Sequence, residues 1–215
     1  MKLVVALALT VGAPFLGGCA SVPAVRPAGS TANVYRAVGQ LPQTVRRVAV
    51  LPLTSDADPD ADRGRDVLQP VLLSEIAKTT AFETMAISPE QLRAVTGRAA
   101  WSAQDVLPSD FLARLHTATG CDAVLFCRLS QYRPYPPMAV GWDLKLVDVN
   151  SHTLLWAVDQ VLDAGEPAVA RSARGYYDKA IHVPPPKGDP SSVLQSPRLF
   201  GQYAAAVAVE TIPTH

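Results

Sequence analysis

Cysteines, histidines and clustered aspartates are the residues of this chain whose types could do chemistry, and their spacing decides which of them can. Cys19 follows Leu16-Gly17-Gly18. Two glycines leave the backbone ahead of the thiol open to a peptidase, and a cysteine that becomes the first residue can be acylated. Cys121 and Cys127 fall six apart in what reads as one strand. Their Cα atoms would lie about 20 Å apart at roughly 3.3 Å per residue, whereas a disulfide needs less than about 7 Å. They cannot pair with each other in one chain, and they are expected as buried apolar thiols. His116, His152, His182 and His215 are scattered, and none has a metal-ligand spacing with another histidine or a cysteine. Asp56, Asp58, Asp60 and Asp62 invite a calcium reading. An EF-hand loop begun at Asp56 needs glycine and glutamate where this chain has Ala61 and Val67, and one begun at Asp58 meets Arg63 and Gln69. A solvated loop is expected there, with no metal. No G-x-S-x-G, G-x-G-x-x-G or phosphate-loop pattern occurs. No cofactor is expected, and the chain reads as non-enzymatic.

The segment before Cys19 defines an address. Lys2 supplies a positive start, and Leu3 to Leu16 is an apolar run of about 14 residues. That is short of the roughly 20 needed to span a bilayer, and Gly12 and Pro14 interrupt it as a helix. Leucine three positions before the cysteine, with small residues between, resembles the bacterial lipoprotein signal. The alternative is an ordinary secretory signal cut near Ala20. The resemblance implies removal of residues 1–18 and acylation of Cys19. Ala20 stands where an aspartate would resemble the inner-membrane retention signal, so the implied location is the outer membrane, facing the periplasm. Residues 19–33, with Pro23, Pro27 and Gly29, read as a lipidated tether. Residues 34–215 read as one periplasmic domain.

The elements that must position any site follow from pattern. Hydrophobic residues make up 48% of the chain, which excludes disorder. Acidic and basic residues number 19 each, Lys2 lies in the leader, and no basic stripe points to nucleic acid. Residues 46–53 read as a short strand ending near Pro52, and 54–64 as an acidic loop. Residues 66–79 read as a helix whose regular part begins at Pro70. A strand is expected over 82–87. A helix follows from Ser88, which caps it with Gln91 three residues on, to Gly97. A second helix covers 109–119 and ends at Gly120. Residues 121–129 are apolar on both faces, as in a strand covered on both sides. Residues 142–149 and 154–162 form a hairpin turning at Asn150-Ser151-His152, with Leu154, Trp156, Val158 and Leu162 sharing a face. Helices are expected over 166–180 and 197–211, with a loop over 183–192. The fold class is α/β, one domain with a mixed sheet flanked by helices.

Three stretches together resemble a superfamily of envelope lipoproteins. They are Arg47-Val48-Ala49-Val50-Leu51-Pro52 with Phe82-Glu83-Thr84-Met85 after a helix, Gly120-Cys121-Asp122-Ala123-Val124-Leu125, and Leu146-Val147-Asp148-Val149 followed by Thr153-Leu154-Leu155-Trp156. The superfamily includes the curli-secretion lipoprotein, the penicillin-binding-protein activator lipoprotein, a flagellar outer-membrane lipoprotein and the N-terminal domain of the Tol propeller protein. The family hairpin carries a glycine that Asn150-Ser151-His152 replaces. The resemblance covers roughly residues 45–165. It implies a non-catalytic assembly factor, scaffold or regulator of an envelope complex, with a protein partner and, in many members, a homo-oligomer. A subunit of an oligomeric secretion channel and an envelope hydrolase or ligand-binding protein are the alternatives. A channel wall needs strands of about 9–11 residues, and only the 142–162 hairpin is expected to approach that length. For a partner surface, Tyr132, Arg133 and Tyr135 in a proline-rich segment have the residue types of binding hot spots. The alternative is a loop packing its tyrosines on its own domain.

Overall fold

The computed structural model describes residues 33–37, 39–56, 59–180 and 189–215. Its elements in chain order are β1 (Asn33–Arg36), β2 (Arg47–Val50), β3 (Thr54–Ser55), α1 (Pro59–Ile76), β4 (Glu83–Ala86), α2 (Pro89–Thr96), α3 (Phe111–Thr119), β5 (Ala123–Arg133), β6 (Ala139–Asp148), β7 (Leu154–Asp163), α4 (Pro167–Ala180), a short 3-10 helix (Pro190–Leu194) and α5 (Pro197–Val209). They form one α/β domain with a seven-stranded mixed sheet in the order β1-β7-β6-β5-β2-β4, with β3 pairing to β5. The β2 strand runs parallel to β4 and β5, whereas β5, β6, β7 and β1 are successively antiparallel.

Cross-strand register builds the main core. Leu125, Leu146 and Trp156 stand in one row, and Cys127, Leu144 and Val158 in the next. The α1 residues Leu68, Leu72 and Ile76 bury against this face with Phe200, Tyr203 and Val207 of α5, and Val169 and Ala173 of α4 join them. The opposite face is covered at β2 and β5, where Ala49, Leu51, Val124 and Phe126 meet Leu92 of α2, Phe111 and Leu115 of α3, and Trp101. Asp122 fixes the junction of β2 with β5, because its carboxylate accepts the backbone N–H groups of Arg46 and Arg47, each at 2.9 Å.

Local signals place several elements as expected. Ser88 and Gln91 complete a capping box, and α2 stops at Gly97 with φ +86°. The α3 helix stops at Gly120 with φ +67°. The 148–153 turn is held by Asp148, whose carboxylate accepts the N–H groups of Asn150 and Ser151 at 2.8 Å. His152 takes the left-handed position at φ +59°.

Other elements differ from the sequence reading, each for a physical reason. The α1 helix begins at Pro59, so most of the expected acidic loop is helix. Proline suits a first helical position, and Asp60 and Asp62 in the first turn complement the helix dipole. Pro70 lies within the helix, on its exposed side. The β5 strand runs on to Arg133 rather than ending at Leu129. A register shift between Leu129 and Gln131 breaks the period-2 pattern that sequence can follow. The β5–β6 pair is therefore a second long hairpin. A similar shift in β7 buries Leu155 and leaves Leu154 half-buried, so Leu154 does not share the face of Trp156. Cys121 lies just ahead of β5 rather than inside it. The short β1 escaped notice because four residues carry too little alternation, and it begins at Asn33, within the stretch read as tether.

Candidate functional site

The candidate site is the tip of the β5–β6 hairpin, and one salt bridge organises it. Arg133, Ala139 and Asp163 occupy one row across β5, β6 and β7. The Arg133 guanidinium spans Ala139 to reach Asp163, Nη2 to Oδ2 at 2.7 Å. Its Nε donates to the Pro137 carbonyl and so closes the turn. The other Asp163 oxygen accepts the Gly165 N–H at 2.7 Å, and Ala164 N–H donates to the Met138 carbonyl at 2.7 Å. The turn is thus tied to both of its own strands and to the start of the β7–α4 connection.

Tyrosines leave this tip in two directions. Tyr132 stands opposite Val140 and packs on the main core. Its ring lies over Gly64 of α1, where a Cβ would come within 2.5 Å of it. Burial pushes the Tyr132 hydroxyl pKa up, and the nearby Asp60 and Tyr135 add to the rise. Tyr135 projects from the turn with 71% of its surface exposed. The structure therefore brings Arg133 and Tyr135 to one tip and gives Tyr132 to the domain's own packing. Sequence reasoning missed Asp163, the anion that holds Arg133. The Asp163-Ala164-Gly165 turn signal was its only trace.

Further along the hairpin from its tip, β5 and β6 carry a charge cluster on the face opposite the main core. Arg128 bonds Asp143 at 3.0 Å and Asp56 at 2.8 Å, and Lys145 lies 3.5 Å from Asp143. Burial opposes the Arg128 charge, but its hydrogen bonds to Asp56 and Asp143 outweigh this and raise its pKa.

The remaining reactive residues are tied into structure. Cys121 and Cys127 are free and buried. His116 Nδ1 contacts the Cys121 carbonyl at 2.7 Å, and His215 Nδ1 the Leu41 carbonyl at 3.2 Å. Among the described residues no group of three or more His, Cys, Asp or Glu could hold a metal ion, and no helix is long and apolar enough to cross a membrane. The expected leader, Cys19, the expected tether ahead of Asn33, Asp58, His182 and residues 183–188 of the expected loop lie outside the described residues.

No protein-family model matches the chain, and no curated protein matches its sequence. Solved structures resemble it. A PelC dodecamer from Paraburkholderia phytofirmans is 13% identical with a TM-score of 0.45, over 86% of this chain and 99% of that one. Lipoprotein GNA1162 from Neisseria meningitidis is 13% identical with a TM-score of 0.41, over 64% and 98%. The LpoB C-terminal domain from Salmonella enterica is 18% identical with a TM-score of 0.33, over 54% and 82%. Each likeness concerns the course of the backbone and says nothing of what this chain does.

Proposed function

We propose that this chain is a non-catalytic lipoprotein of the outer membrane that holds its α/β domain on an acylated Cys19 and offers the Arg133–Tyr135 tip to a protein partner in the envelope. The observation that carries the reading is topological. The β1 strand is antiparallel to β7, with Asn33 opposite Asp159, so β1 is entered from the Asp163 end of the sheet, where the hairpin tip lies. The tethered end and the exposed tyrosine share one side of the domain. Residues 19–32 can reach at most about 50 Å at roughly 3.3–3.6 Å each. Such a tether raises the effective concentration of the tip for a partner held at the same membrane. The salt-bridged turn keeps Tyr135 in place, which limits the entropy lost on binding.

The channel alternative draws support from strand length, since β5, β6 and β7 have 11, 10 and 10 residues. Two features oppose it. One face of these strands lies under α1 and α5, and the other carries Asp143, Lys145 and Asp159. A lipid-facing wall needs a continuous apolar face.

Site-specific photocrosslinking in intact membranes tests the reading. A photoreactive side chain at position 135 is expected to give a discrete adduct with one protein, and one at Val106, which is 95% exposed, is not. Equal yields at the two positions, or none at 135, would reject the tip as the partner site.

A further inference from the structure

Two of the chain's three methionines lie among the described residues, and their settings differ. Met138, just ahead of β6, is buried in the main core with 1% of its surface exposed. Met85 lies in β4 at the edge of the sheet, where it is half-buried and packs against the core under α2 and α3. A guanidinium reaches its sulfur. Register places Glu83 opposite Arg47 and Met85 opposite Ala49, so Arg47, Glu83 and Met85 share one face of the two strands. Arg47 Nε lies 3.4 Å from the Glu83 carboxylate, and Nη2 donates to Met85 Sδ at 3.2 Å. Nη1 lies over Gly120, where a Cβ would come within 3.1 Å of it. The guanidinium is thus held from three sides against a thioether.

A thioether sulfur is a weak acceptor, so this contact does more to place the two groups than to bind them. The product of oxidation is a different acceptor. The sulfur lone pair attacks the distal oxygen of hydrogen peroxide, and the O–O bond breaks as the S–O bond forms. Sulfur gives up two electrons, and the leaving hydroxide takes the proton of the transferred oxygen and departs as water. The sulfoxide oxygen carries a strong negative partial charge, and a hydrogen bond to it from an ionised donor is roughly twice as strong as one between neutral groups. Arg47 keeps 44% of its side chain exposed, so a short shift carries Nη2 from the sulfur to that oxygen. A sulfoxide without a partner in an apolar contact would cost the desolvation of its oxygen. Here the group that meets the thioether also satisfies its product.

We propose that Met85 is a peroxide-oxidation site whose sulfoxide is received by Arg47, so that the domain takes up an oxidant at its sheet edge and keeps its fold. The site is separate from the hairpin tip and does not depend on the lipid anchor. The test treats the full-length protein in detergent with hydrogen peroxide and maps its peptides by mass. Met85 is expected to gain one oxygen, and Met138 to gain one at least about tenfold more slowly, because a buried thioether reacts only through local opening. The Arg47 Nε–H signal in the NMR spectrum is expected to shift on oxidation. Oxidation is expected to lower Tm by at least about 2 °C less in wild type than in Arg47→Gln, as one charged hydrogen bond in a chain of this size implies. Met85→Leu is expected to remove the change in Tm altogether. Oxygen on Met138 as fast as on Met85, or none on Met85, would overturn the proposal. So would an unmoved Arg47 signal, equal falls in Tm for wild type and Arg47→Gln, or a fall that survives in Met85→Leu.

Discussion

Cys127 shows how a side chain chosen for packing acquires a pH dependence. Burial pushes its thiol pKa up to about 12, and burial also raises that of Cys121. In an unfolded chain a thiol titrates near 8.5. Below that pH both states keep the proton, and the packing contribution is fully present. Above it the unfolded chain releases a proton that the native state retains, so stability falls progressively toward pH 12. Tyr176 and Tyr203, also raised to about 12 by burial, add to the loss from near pH 10. Urea midpoints at pH 7 and pH 10 are expected to differ less for Cys127→Ala than for wild type, and an equal difference would sink the linkage. Both thiols are buried, as their apolar setting in sequence led one to expect. His152, which the sequence places in the hairpin turn, takes a backbone conformation that only the structure shows. At φ +59° it sits where glycine is unstrained. The substitution His152→Gly is expected to stabilise the domain by about 0.5–1 kcal/mol, read as a rise of a few degrees in Tm. The sequence singled out Arg133 and Tyr135 as neighbours in one segment, but not Asp163, which comes from a strand about 30 residues further along the chain.

Elements were legible where their signals are local. The capping box of α2, its glycine stop and the α3 stop depend on residues within one helical turn, and they fall where sequence places them. The start of α1 and the end of β5 were not legible. A proline-aspartate run reads equally as loop or as first helical turn, and packing of Leu68 and Leu72 against α5 decides the matter. A strand that continues through a register shift loses the alternation that marks it. Helix glycines make the same point with a sign. Gly201 in α5 rests against Leu68 of α1, and an added Cβ would collide with that side chain, whereas Gly175 in α4 faces open space. Gly201→Ala is expected to cost about 1–3 kcal/mol, and Gly175→Ala to gain about 0.5–1 kcal/mol. Thermal melts of the two variants check this, and shifts of the same sign would contradict the α1–α5 contact.

At the scale of the whole molecule the proposed anchor and the domain are expected to make separable contributions. Each buried CH₂ of an acyl chain contributes about 0.8 kcal/mol, so two or more chains hold firmly. Cys19→Ala is expected to move the protein from the membrane fraction to the soluble one while its melting curve stays unchanged. Wild type that fails to incorporate labelled palmitate would end the lipoprotein reading. The sequence by itself determined the α/β class and most helix boundaries, because hydrophobic period and caps are short-range patterns carried in adjacent residues. Only the tertiary structure decided that Tyr132 belongs to the domain's packing and Tyr135 to its surface. It alone showed that β1 is entered from the end of the sheet that carries the hairpin tip, and it alone opened a groove where β2 and β4 send their chains to opposite faces. Those facts depend on strand order and on contacts between residues far apart in the chain, which no local pattern encodes.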